Sequence, residues 1–415
     1  MVHRIVATSL IINVLLFCTP VLAKRTKHKP TKITKSKNIK SQTVDPEYAI
    51  QAEVSPKQDE HSYQVRVLLA QMEGQEVEWT IGAEHGVIFT ESLTSQKKVQ
   101  SPETHHAIHF KDGFFYINKK RLRQTPFIIK PQSGHLTFQG HAFHGHFMLV
   151  VHDNCGMLIN TVDLEDYVCS VLKTEGFPGW PHEMYKVLAI TSRSYVMAMI
   201  KEAHEKDRQY HVKNTNKHQT YHGVHEKSEL RRAVEDTHGI FLSYDKKPIL
   251  AMFDICCGGI VPAGMEGFDF EKAPYLARNY ACTHCKDCKS YSWNLHVEKD
   301  ELLNFLQKEY PQLTSVRDIK ITKKDKAGLV QQAVVKGARA VCELTGRKLY
   351  SFVKGIRSYC FGVQKKGSAI IFKGRGFGHH LGLCQWGARA MVSDGWNHKN
   401  ILAFYYPRTT LMRLT

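Results

Sequence analysis

Past residue 60 the chain alternates apolar and polar positions in short runs. Tyr63-Gln64-Val65-Arg66-Val67-Leu68-Leu69, Gly113-Phe114-Phe115-Tyr116-Ile117, Pro126-Phe127-Ile128-Ile129 and Gly145-His146-Phe147-Met148-Leu149-Val150-Val151 are each bounded by turn residues, which predicts strands. Glycines recur through 134–152, so antiparallel hairpins are expected rather than a parallel sheet. The period then changes. Met184, Val187, Leu188, Thr191, Tyr195, Ala198 and Met199 fall three and four apart, predicting a helix over 183–205 with one buried stripe and Pro181 near its start. Further helices are predicted at 226–237, stopped by Gly239 before a strand at 240–244, at 300–310, closed by Pro311, and at 385–394, ended by Gly395. A strand is predicted at 368–372, and there is no internal repeat. The expected class is α+β: mostly antiparallel strands in an N-terminal part, 45–159, and several helices around a substrate groove in a catalytic part, 160–415.

Charge changes the picture at the N-terminus. The 415 residues, 42% apolar, suffice for two domains or one large one. Residues 1–23 read as an export signal, with His3 and Arg4 before an apolar run and the small Ala23 at the cut. Lipidation at Cys18 is disfavoured by the bulk of Phe17. An uncleaved anchor is the other alternative, because the run is near the lower limit of about 17 residues for a membrane span. The segment 24–44 carries eight Lys or Arg and no acid, a solvated basic linker within a chain of net charge +18. An exported chain of this sign, in the periplasm or at the cell-envelope surface, is expected to meet anionic lipid or an anionic wall polymer through that linker. No nucleic-acid partner is expected, since no helix-turn-helix, zinc finger or aromatic RNA-binding motif occurs.

Candidate chemistry centres on Glu175, in the stretch Thr174-Glu175-Gly176-Phe177-Pro178-Gly179-Trp180-Pro181. A carboxyl group lodged against Phe177 and Trp180 loses solvation, which favours its proton-bearing form and suits it to acid catalysis on an ether-like bond. A carboxylate that merely flanks the next helix fits the local pattern equally well. The loop Gly374-Arg375-Gly376-Phe377-Gly378-His379-His380-Leu381-Gly382 lies between a strand and a helix, but it lacks the Gly-Lys-Ser or Gly-Lys-Thr end of a phosphate loop and the rest of a dinucleotide unit. Either its glycines let backbone approach a ligand while His379 and Gln385 project into the cleft, or they make a tight packing corner. His182-Glu183 begins like a metalloprotease helix, yet Lys186 stands where the second histidine would be. Cys282-x-x-Cys285-x-x-Cys288 follows Cys256-Cys257 at spacings that suit zinc, with Cys257, Cys282, Cys285 and Cys288 as candidate ligands. Export favours disulfides between these two segments instead, so no cofactor is expected.

Several segments occur in order: Asn160-Thr161-Val162-Asp163-Leu164-Glu165-Asp166-Tyr167-Val168 leading into Glu175, Ala189-Ile190-Thr191-Ser192-Arg193-Ser194-Tyr195, Gln219-Thr220-Tyr221-His222-Gly223, Cys257-Gly258-Gly259, Pro274-Tyr275-Leu276, residues 374–388, and Ile401-Leu402-Ala403-Phe404-Tyr405-Tyr406-Pro407. Together, over 63–414, they resemble the stage II sporulation protein D family, which includes amidase-enhancer proteins of bacterial cell walls. The resemblance implies a lytic transglycosylase acting on peptidoglycan glycan strands stripped of stem peptides, with Glu175 at the family's catalytic glutamate. It implies substrate positioning or tuning of Glu175 by Arg193, Tyr195, His379 and Gln385, substrate binding by Gln219 and Tyr221, and a cell-wall amidase as partner. A structural ion pair is the equal alternative for Arg193. A noncatalytic, glycan-gripping enhancer of an amidase is the alternative for the whole chain. His380 replaces a usual glycine and Cys384 a usual serine. Where some members carry zinc-binding cysteines after the helix, this chain has Lys213 and His218, leaving His204, His211, His218, His222 and His225 as weak candidate ligands.

Overall fold

A computed structural model of the protein describes residues 63–73, 78–91, 98–123, 125–215, 218–225 and 227–414. The expected export signal and basic linker lie outside these residues. No helix among the described residues is long and apolar enough to cross a membrane.

The fold is α+β, as the patterning predicts. Seven strands form one sheet in the order Val212–Lys213, Gln64–Glu73, Cys155–Asp163, His146–His152, Phe127–Pro131, Val87–Thr90 and Lys98–Ser101. All its pairings are antiparallel except Val67 beside Val212 at one edge. A six-stranded sheet runs from His141–Phe143 through Leu136–Phe138, Glu78–Ala83, His105–Lys111 and Phe114–Ile117 to Lys120–Arg121. Alternation sends Val65, Val67, Ile81, Ile108, Phe115 and Phe147 into one shared core. The strand Cys155–Asp163 is buried on both faces, because Met157 and Ile159 pack with Leu68 and Val150 in a second small cluster.

Seven helices are described: α1 (Leu164–Glu175), α2 (His182–Glu205), α3 (Ser228–Asp236), α4 (Lys299–Gln307), α5 (Gly346–Phe352), α6 (Gln385–Ser393) and α7 (His398–Tyr405). The first was not foreseen. Asp163 caps it by accepting the Glu165 N–H at 2.8 Å, and Glu165 and Asp166 place negative charge on its first turn. Its apolar positions Leu164, Tyr167, Val168, Val171 and Leu172 all face the core. The predicted helix at 183–205 is present as α2, but it is buried almost all round rather than along one stripe. That follows from its central place, with α1, α3, α6 and α7 packed against it. Pro181 stands at its N-cap.

Between Ser292 and Arg375 the chain builds a separate cluster. The strands Ser292–Glu298, Ala369–Arg375 and Phe361–Lys366 form one sheet, and Asp318–Lys324, Val330–Lys336 and Val341–Thr345 another. With α4 and α5 they bury Val297, Leu302, Leu306, Ile319, Val335 and Phe372 in a core of their own. Ser292 pairs with Arg375, so this segment leaves and rejoins the main body at one place. The strands at 318–345 were not predicted.

Candidate active site

Glu175 is the last residue of α1, not a member of the turn before α2. Gly176 ends the helix with an extended backbone and donates its N–H to the Leu172 carbonyl at 3.0 Å. The Glu175 carboxyl group is half-buried and accepts the Thr220 N–H at 2.9 Å, while the Glu175 main-chain carbonyl accepts the Gln385 side-chain amide at 3.0 Å. The acid is therefore fixed from two sides by segments far away in sequence. Next to it, Phe177, Trp180 and Trp386 form an aromatic cluster, with ring centroids 4.8 Å apart for Phe177 and Trp180 and 6.2 Å from each to Trp386. Phe177 is 37% exposed, so one face of this cluster is open to a ligand.

The segment Gln219-Thr220-Tyr221 is laid along the end of α1. Thr174 Oγ1 donates to the Thr220 carbonyl at 2.6 Å, the His222 N–H donates to Ser170 Oγ at 3.2 Å, and Tyr167 donates its hydroxyl to Gln219 Oε1 at 3.1 Å. Tyr221 stacks on Tyr167 at 5.4 Å and donates its hydroxyl to Asn160 at 2.7 Å. Gly223 turns the chain away with φ +76°, where a Cβ would lie 2.0 Å from the Ala142 carbonyl. The Tyr167 hydroxyl is pushed far above its ordinary range, first by burial and then by the neighbouring Tyr195, Glu175 and Tyr221.

These contacts revise several expected roles. Arg193 is fully buried: its Nε and one terminal nitrogen fork onto both carboxylate oxygens of Glu165, at 2.9 and 2.5 Å, and its third nitrogen donates to the Ile240 carbonyl at 2.7 Å. It is the structural ion pair, and it has no open face for substrate. Gln219, Tyr221 and Gln385 are each at most 2% exposed, so none of them lines a groove, and of the two roles expected of Gln385 its contact with Glu175 fits the tuning one. Tyr195 is half-buried, and burial, then Glu202, pushes its hydroxyl up to about 12. His379 accepts the Leu381 N–H at 3.0 Å on its own loop, and burial pushes its imidazole down to about 4 against the pull of the Phe253 carbonyl. The five histidines from 204 to 225 do not converge on one point. His204, in the last turn of α2, and His211 lie near each other, with ring centroids 5.5 Å apart. His222 stacks on His141, His225 faces the Cys169 carbonyl, and His218 accepts the Lys213 N–H.

Sequence reasoning missed Thr220, Asn160, Tyr167 and Asp254. The Asp254 carboxyl is buried, accepts the His380 N–H at 2.8 Å and is pushed far up by that burial. The expected disulfides are also absent among the described residues: Cys257 and Cys285 stand 3.7 Å apart as free thiols within a buried group of four cysteines.

The glycine loop packs closely on the 254–259 segment. Phe377 and Cys256 exchange backbone hydrogen bonds at 2.7 and 3.2 Å, and a Cβ on Gly258 would lie 2.5 Å from the Gly376 nitrogen. Of the two expected uses of these glycines, the contacts here are those of the tight packing corner.

The family described as "Stage II sporulation protein" matches residues 153–244, and a family described as a domain of unknown function matches residues 275–382. The first match contains Glu175 and its supporting segment. The second takes in the separately cored cluster. The chain is 29% identical to an uncharacterized protein of Brachyspira hyodysenteriae, over 70% of this chain and 77% of that one. It is 26% identical to stage II sporulation protein D of Bacillus subtilis, over 63% of this chain and 78% of the relative. Identity to the amidase enhancer of Bacillus subtilis is 25%, over 58% of this chain and 39% of that protein.

Proposed function

The chain belongs to the stage II sporulation protein D and amidase-enhancer family, and from that premise we propose that it cleaves peptidoglycan glycan strands by lytic transglycosylation, with Glu175 as acid and then base. Family membership supports a cell-wall function; the arrangement around Glu175 supports the finer reading.

The observation that carries it is the placement of the acids on α1. Glu165 and Asp166, the carboxylates nearest in sequence, lie ten and nine residues back along the helix, a backbone rise of roughly 15 and 14 Å at about 1.5 Å per residue. Each is also engaged elsewhere, Glu165 by Arg193 and Asp166 by Arg231 at 3.2 Å. A hydrolytic glycosidase needs its second carboxylate within about 9.5 Å to activate water or attack the sugar. The backbone rise and these ion pairs turn both acids away from that role.

A transglycosylase needs no second carboxylate. Glu175 gives its proton to the glycosidic oxygen as the bond to C1 breaks, then takes the proton of the sugar's C6 hydroxyl as that oxygen bonds to C1 and closes a 1,6-anhydro ring. No water is consumed. The Thr220 N–H orients the carboxyl group, the Gln385 contact holds the helix end that carries it, and the open face of Phe177 offers apolar surface to a sugar ring.

The test is to incubate the purified chain with glycan strands stripped of stem peptides and weigh the products. New ends lighter by one water than hydrolytic ends are expected; hydrolytic ends would refute the one-carboxylate reaction. The similarity to an amidase enhancer favours a second reading, in which the chain grips glycan and stimulates an amidase without cleaving. Under that reading Glu175→Gln would leave cellular function intact.

A further inference from the structure

Four buried cysteines from three separate segments converge on one point: Cys257 after the strand Phe253–Asp254, Cys282 and Cys285 in a tight turn, and Cys384 at the N-cap of α6. Their sulfur atoms all lie within 4.8 Å of one another. We propose that these four thiolates bind a zinc ion that holds the wall carrying Gln385 in place beside Glu175.

The fit rests on geometry. Zinc takes four thiolates tetrahedrally with arms of about 2.3 Å, which sets neighbouring sulfurs roughly 3.8 Å apart. Cys257 and Cys285 already stand at 3.7 Å. A space of this size holds one ion and leaves no room for a cluster of irons with bridging sulfides. Cys282-x-x-Cys285 supplies two ligands from one turn, a common arrangement in structural zinc sites, and four protein ligands close the coordination sphere.

Hydrogen bonds around the sulfurs point the same way. Cys384 Sγ accepts the N–H groups of Cys257 at 3.2 Å and Gly387 at 3.4 Å, and Cys282 Sγ meets the Tyr405 hydroxyl at 3.1 Å. Such donors stabilise negative charge on a ligating sulfur and fix its direction. Gly387 leaves the room for them. A Cβ at that position would lie 2.1 Å from the Tyr405 hydroxyl and 2.7 Å from Cys282 Sγ.

The ion would tie three separate segments to one point. Cys384 immediately precedes Gln385, the residue that reaches the Glu175 carbonyl. Cys257 accepts at its carbonyl from the His380 ring at 3.0 Å, and its neighbour Cys256 pairs with Phe377, so the glycine loop hangs on the same anchor. The turn carrying Cys282 and Cys285 also leads into the separately cored segment that starts at Ser292.

The experiment is metal analysis of the purified full chain, which does not depend on any glycan activity. About one zinc per chain is expected, with X-ray absorption reporting four sulfurs at about 2.3 Å. Cys257→Ser and Cys384→Ser should lose the metal, whereas Cys288→Ser, outside the set of four, should keep it. Cobalt substitution should give thiolate-to-cobalt charge-transfer bands. A metal-free chain, disulfides among these cysteines by mass, or a first shell of nitrogen and oxygen would overturn the proposal. Should the serine variants fail to fold, the absorption spectrum of the unaltered chain still decides.

Discussion

Gln385, the first residue of α6, donates its side-chain amide to the main-chain carbonyl of Glu175, the last residue of α1, across 3.0 Å and 210 positions of sequence. The contact holds the helix end rather than the carboxyl group, so its effect on chemistry passes through position. Gln385→Ala is expected to lower turnover on stripped glycan strands by roughly 10- to 100-fold, the scale on which small misplacements cost rate, with KM changed far less. Steady-state kinetics checks this; an equal loss in KM with turnover unchanged would make Gln385 a substrate ligand instead.

The Arg193–Glu165 pair supports stability, not catalysis. Arg193→Met leaves the Glu165 carboxylate with only the Gly239 N–H, at 3.1 Å, in place of the guanidinium fork. A loss of about 3–5 kcal/mol is expected, as for other buried pairs broken on one side. Arg193→Lys keeps the charge and loses the fork, so its stability should fall between those of the unaltered chain and Arg193→Met. Urea unfolding measures both.

Acid should destabilise the fold through buried imidazoles, His146 and His211 in addition to His379 and His380 of the glycine loop, both held down to about 4 by burial. Burial, then Lys130, pushes His146 down to about 4, and burial, then Arg66, His204 and Arg208, pushes His211 down to about 3. An unfolded histidine titrates near about 6.5, so below that pH the unfolded chain binds more protons than the folded one. Stability is complete above about pH 6.5 and is lost as pH falls toward 4, by at most roughly 1.4 kcal/mol per pH unit for each group. His146→Gln should flatten this dependence. Urea midpoints equal near neutrality and at about pH 5 would contradict it.

Phe177 should matter for binding alone. It is exposed and contributes little to the core, so Phe177→Ala is expected to leave the unfolding free energy within about 0.5 kcal/mol while weakening glycan binding several-fold. Co-sedimentation with stripped glycan strands reads the second effect, and unchanged retention would remove the aromatic cluster from the site.

How much of this was legible in the sequence depended on range. The alternating strands and the α2 stripe were plain because their periods are local, and Gly239 and Gly395 marked helix ends through backbone chemistry alone. The signals for α1 were equally local, an Asp163 cap followed by Glu165 and Asp166, but the strand pattern before them and the turn at 176–181 masked them. Arg193 could be either ligand or ion pair until Glu165 was seen to lie against it, 28 positions away. Long-range partners were not legible at all. Nothing local says that Gln385 seeks a main-chain carbonyl, or that Cys384 rather than Cys288 completes the sulfur cluster, because both facts arise only when α6 docks against the rest of the core.

The most direct measurement follows the oxygen atom. Cleavage of stripped glycan strands in water enriched in heavy oxygen, with mass analysis of the new ends, distinguishes attack by the sugar's own hydroxyl from attack by water. The account predicts anhydro ends that carry no label, formed by the unaltered chain and not by Glu175→Gln. Labelled ends, or the same yield from the Glu175→Gln chain, would contradict it.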